Sequence, residues 1–129
     1  MPRVTVAVRT CASLRLEAPI STSRDIVLQA LGALKWRILR YEANSIKASP
    51  TPAVIRGITG FINDFHFDGA EITLHPSASV TTACHLSFVA PGGGLLAHLA
   101  RRKCVKWRDS VVGEIARVSR QNGVDISVS

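Results

Sequence analysis

Apolar and polar positions alternate along the first stretch of the chain. From Val4 to Glu17 the even positions read Val4, Val6, Val8, Thr10, Ala12, Leu14 and Leu16. The odd positions include Thr5, Arg9, Ser13, Arg15 and Glu17. A period of two puts the first set on one face of a strand and the second on the other. An aliphatic inner face and a polar outer face suit an antiparallel sheet that is wet on one side. Pro19 ends this strand. Ser21, Thr22 and Ser23 then offer helix caps, with Asp25 three residues after Thr22 as in a capping box. The pattern predicts a helix from about Ser23 to Lys35, apolar nearly all round and therefore covered on more than one side. Gly32 inside it predicts either a close packing contact or an early helix end.

Short strands follow. Trp36–Glu42 is β-rich, Asn44-Ser45 reads as a turn, and Ile46 and Ala48 alternate with polar neighbours. Val54–Ile58 and Phe61–Phe67 read as extended, with Gly57 and Gly60 as bend sites. Asp68-Gly69 signals a hairpin into Glu71–His75, and Pro76-Ser77 a further turn. Val80–Val89 alternates again. After Pro91 and three glycines, Leu96, Ala100, Cys104, Trp107, Val111, Ile115 and Val118 recur at spacings of three and four. That is the stripe of a long helix from about Leu95 to Ser119. Asn122-Gly123 suits its stop, and residues 121–129 read as a tail. The expected fold is a single α+β domain over residues 1–129. A curved antiparallel sheet of about six strands carries one short helix after strand 1 and a long C-terminal amphipathic helix packed on the sheet.

Composition narrows the class. A chain of 129 residues can bury a core without disulfides or metal. No apolar run reaches the roughly 18–20 residues of a membrane span, and the first residues do not read as a secretory signal. Cys11, Cys84 and Cys104 lack zinc-site spacing and predict free thiols in the cytoplasm or another reducing compartment. No metal or cofactor is expected. The net charge of +7 is uneven: residues 57–100 contain no Lys or Arg, so the basic character sits at the two ends.

Several phrases resemble the helix-grip superfamily, the START-like and polyketide-cyclase-like domains. Glu17-Ala18-Pro19-Ile20 looks like that family's first strand ending in an Ala-Pro step. Residues Val80–Phe88 resemble its last strand, and Pro91–Leu96 with the following basic helix resembles its final loop and gripping helix. The resemblance implies a sheet wrapped round a long helix with an apolar cavity between them, in a family whose members bind lipids, sterols, polyketides or hormones.

Two sets of residues are candidates for binding. Phe61, Phe65 and Phe67 share one strand face with Asn63, and Leu96 and Trp107 on the helical stripe complete a possible pocket for an apolar or amphipathic small molecule. Arg101, Arg102 and Lys106, with Lys103 and Arg108 beside them, form the strongest charge signal. They suit the anionic head of a ligand, an anionic membrane surface, or nucleic-acid phosphates, although no nucleic-acid motif accompanies them. The leading reading is a small-ligand or lipid-binding module. The alternative is a basic interaction subunit that contacts RNA or an acidic protein through residues 101–108. His66 and His85 are the only acid–base candidates, and no paired group supports an enzyme.

Overall fold

The computed structural model describes residues 7–50, 68–78, 80–92 and 96–128. The element order is β1 (Ala7–Leu16), α1 (Ile20–Ala33), β2 (Arg37–Tyr41), β3 (Ser45–Ser49), β4 (Gly69–Ala78), β5 (Thr81–Pro91), α2 (Ala97–Gln121) and β6 (Ile126–Val128). The strands form one six-stranded antiparallel sheet in the order β2-β3-β4-β5-β1-β6. This is the expected α+β class, with α2 packed on the sheet.

Register turns the period-two pattern into rows of core residues. Ile46 faces Ile72, Ile72 faces Leu86, and Leu86 faces Ala12. One step along, Ala48, Ala70 and Phe88 form the next row. Leu74, Cys84 and Leu14 form a third. Each fully buried Leu or Ile contributes about 1.5–3 kcal/mol by leaving water, so these rows dominate the stability of the sheet. The opposite face of the sheet is polar. There the Arg9 guanidinium donates to Ser87 Oγ at 2.6 Å, and the Arg15 guanidinium to Ser77 Oγ at 3.3 Å.

Both helices lie on the aliphatic face. On α1 the buried residues are Ser23, Ile26, Val27, Ala30 and Leu31, at helical spacing. The helix starts earlier than the expected Ser23. Pro19 is its N-cap, no side chain caps it, and the Ser23 N–H donates to the Pro19 carbonyl at 2.9 Å. The Ser23 hydroxyl instead donates to the Ala18 carbonyl at 3.2 Å, which also accepts from Thr82 Oγ1 at 2.8 Å. These hydroxyls are therefore used to tie the β1–α1 corner to β5. Nothing would touch a Cβ placed on Gly32, so the close contact expected there is absent and the glycine marks the helix end.

The two helices end in the same hydrogen-bonded motif. The Trp36 N–H reaches the Leu31 carbonyl and the Lys35 N–H reaches the Gly32 carbonyl. At the other end, Val124 reaches Ser119 and Gly123 reaches Arg120. Both are Schellman closures, which need a left-handed residue just past the cap. Gly123 supplies it in α2 with φ 69°, whereas α1 uses Lys35 at φ 62°.

Three expectations are corrected. Pro76-Ser77 is not a turn: β4 runs on to Ala78 with a register shift after Pro76. The pairing of β3 with β4 stops at Thr73, so the missing N–H of Pro76 has no strand to serve on that side. Residues 121–129 are not merely a tail, because β6 pairs with Leu14–Leu16 and Val124 is buried. Leu96 lies just before α2 and is exposed rather than part of the buried stripe. The strands expected at Val54–Ile58 and Phe61–Phe67 lie outside the described residues. Gly69, where β4 begins, has φ 136°, and a Cβ there would stand 2.1 Å from the Ala48 carbonyl oxygen.

Candidate anion-contact face

The sequence of α2 separates its duties by helical angle. Ala100, Cys104, Val111, Ile115, Val118 and Ser119 are buried against the sheet and α1. Trp107 belongs to the same stripe and is half-buried. Its ring packs edge-on against Trp36 at 5.9 Å, and Trp36 packs edge-on against Phe88 at 6.4 Å. Lys103 Nζ stands over the Trp107 ring, 5.8 Å from its centre. Cys104 Sγ meets the Val8 carbonyl of β1 at 3.6 Å.

Turning about half a revolution from that stripe brings out the charged side. His98, Arg101, Arg102, Val105, Lys106, Asp109 and Ser110 line a hollow of about 590 Å³. The three sequence-predicted anion contacts, Arg101, Arg102 and Lys106, are thus brought to one place, and all three are exposed. Among the described residues no carboxylate pairs with any of them. The one acid among its described lining, Asp109, is engaged by Arg108 Nε at 3.2 Å. Further along α2, Arg117 holds Glu114 in an ion pair, and that hydrogen bond lowers the Glu114 pKa. The first turn of α2 carries no acidic residue, so the positive end of the helix dipole adds to the side-chain charge.

The pocket residues fare differently. Phe61, Asn63, Phe65 and Phe67 lie outside the described residues, as does His66. Leu96 is 62% exposed. Trp107, the other described residue of the set, lies at the edge of the helix–sheet interface against Trp36. His85 stands on the polar face of the sheet, its Nδ1 3.5 Å from Ser13 Oγ, and does not enter the core. All three cysteines are free. Burial pushes the Cys84 thiol up to about 12 and raises that of Cys104, against a smaller lowering effect of Lys103. Among the described residues no group of three His, Cys, Asp or Glu side chains is placed to hold a metal.

Two residues of this face escaped the sequence reading. His98 precedes Arg101 and Arg102 by three and four positions, which already places it on their side of a helix. Leu99 is 57% exposed beside the cations; its position off the apolar stripe was the available signal.

No family model matches the chain, and no curated protein matches it. Among solved structures, the chain is similar to a C-terminal segment of the alpha subunit of aIF2 from Pyrococcus abyssi, at 14% identity and a TM-score of 0.42. The match covers 95% of this chain and 49% of that one, so this chain spans about half its length. The helix-grip resemblance accordingly rests on element order and local phrases alone.

Proposed function

We propose that this chain is a basic interaction module that grips a phosphate-bearing partner through the outer face of α2. The observation that carries the reading is the grouping of Arg101, Arg102 and Lys106 in one hollow without paired carboxylates among the described residues. Two guanidinium forks match phosphate oxygens in a bidentate way, and the ammonium adds a mobile point charge. These groups are exposed, and an exposed ion pair contributes only about 0–1 kcal/mol. One phosphate would therefore be held weakly. A partner that presents several phosphates side by side fits better, since the contacts then act together. An acidic protein suits the hollow less well, because protein interfaces centre on apolar anchors and Val105 is the one aliphatic side chain among its described lining.

The reading in which an apolar molecule lies between the sheet and α2 has less support. Its four strand residues are not described, and Leu96, another of its candidates, is exposed.

Inorganic polyphosphate is the direct probe. The wild type should bind it in calorimetry, with affinity falling steeply as salt is added. The variant R101Q/R102Q/K106Q should lose at least about tenfold while unfolding at the same denaturant concentration. Equal binding by the variant would overturn the reading. A stoichiometric apolar molecule released from the purified protein, with no polyphosphate binding, would favour the ligand-holding arrangement instead.

A further inference from the structure

Beside the hollow, α2 presents a second feature that charge alone does not explain. Leu99 precedes Arg102 and Lys103 by three and four positions, and these precede Lys106 by four and three, so the four share one side of the helix, with Leu96, its N-cap, three residues ahead of Leu99. All five are exposed. Leu96 is 62% and Leu99 57% exposed, which makes them two of the most exposed large apolar side chains among the described residues. The side is graded along the helix: leucines at its N-terminal end, three cations over the next two turns. Trp107 lies on the flank of this side, between Lys103 and the core.

A polyanion such as RNA has no use for two leucines placed ahead of the cations. An anionic bilayer uses both halves: leucine side chains enter the acyl boundary while Arg and Lys stay with the headgroup phosphates. No helix among the described residues is long and apolar enough to cross a membrane, so the contact is a surface one. Charge agrees in sign, because residues 101–108 carry five cations and no carboxylate, within a chain of net charge +7. We infer that the phosphate-bearing partner is an anionic lipid surface, and that the N-terminal half of α2 docks on it with Leu96 and Leu99 inserted and Arg102, Lys103 and Lys106 at the headgroups. This inference rests on the phosphate-binding reading and names its partner.

Co-sedimentation with vesicles tests it. The probes are vesicles of phosphatidylcholine alone, vesicles of phosphatidylcholine mixed with phosphatidylserine, inorganic polyphosphate, and a single-stranded RNA homopolymer. The wild type should bind the mixed vesicles and ignore the neutral ones. The variant L96Q/L99Q should lose about tenfold or more on mixed vesicles and keep its polyphosphate binding. The variant L96W/L99W should bind the mixed vesicles more tightly than the wild type, since Trp favours the bilayer interface. Both sites are exposed, so the fold is spared, and a matching denaturation midpoint checks that. Polyphosphate binding without vesicle binding would overturn the lipid inference and leave the phosphate reading standing. So would vesicle binding that is indifferent to both leucine variants, or RNA bound more tightly than the vesicles at equal phosphate concentration. Failure to bind any of the anionic probes would overturn both.

Discussion

The two helices cover the same face of the sheet and are built for different loads. Helix α1 is apolar on nearly every side, and its charged residues are confined to Arg24 and Asp25. Helix α2 is nearly twice as long and buries a narrower stripe, while its outer side carries five of the cations of the chain. Burial accounts for the apolar stripe of α1, which meets α2 and the sheet. Burial explains only half of α2. A solvated helix needs no unpaired cluster of like charge, and exposed like charges repel. The outer face of α2 is thus the region where the sequence departs from what folding alone requires, and such departures point to function.

The strongest way to test that division is to damage the buried side of each helix and then the outer side of α2. Leu31→Ala in α1 and Ile115→Ala in α2 remove fully buried side chains. Each should cost about 2–5 kcal/mol in urea unfolding. Next in size is the outer face: R101Q/R102Q/K106Q should leave unfolding within about 0.5 kcal/mol per site while weakening polyphosphate binding. A large stability loss in that variant would mean the cluster is structural, and the contrast between the helices would fail.

A pH series separates the buried thiol from the surface charges. Cys84 has its pKa raised from 9.0 to about 12 by desolvation. Because the folded value is the higher one, the unfolded thiol releases its proton first as pH rises. The stabilisation is complete below about 9 and is lost between 9 and about 12, with a slope of up to about 1.4 kcal/mol per pH unit. Unfolding of the wild type and of Cys84→Val, compared from pH 8 upward (roughly the ordinary thiol range), should diverge in that window. Parallel curves would show that Cys84 ionises freely in the fold.

The helix ends give the smallest effect. Lys35 adopts the left-handed conformation that Gly123 adopts without penalty. Lys35→Gly should therefore stabilise the protein by about 1 kcal/mol, and Gly123→Ala should destabilise it by a similar amount. Equal responses in sign at the two ends would mean that backbone strain does not distinguish them.

How much of this was legible depended on how many residues repeat a signal. The alternation of β1 and β5 and the long stripe of α2 each run over ten or more residues, and all three elements stand where the pattern put them. Helix α1 began early because its start depends on Pro19 and a buried Ala18 carbonyl, neither of which announces itself as a cap. Strand β6 has three residues and exists because Leu14–Leu16 offers it an edge, which no local pattern reveals. Leu96 continued the stripe in sequence but lies before the helix turns, so its side chain stays outside. Arg101, Arg102 and Lys106 were legible because helical spacing alone sets them together. That Asp109, the acid of the described lining, is engaged by Arg108 was not, since it depends on the tertiary placement of both side chains.

The most direct test of the central claim is the salt dependence of polyphosphate binding, measured for the wild type and for R101Q/R102Q/K106Q. If the outer face of α2 makes the contact, the slope of log affinity against log salt should shrink by about 2 in the variant, as expected for three lost phosphate contacts on a flexible polyanion. Identical slopes and affinities for the two proteins would contradict the account.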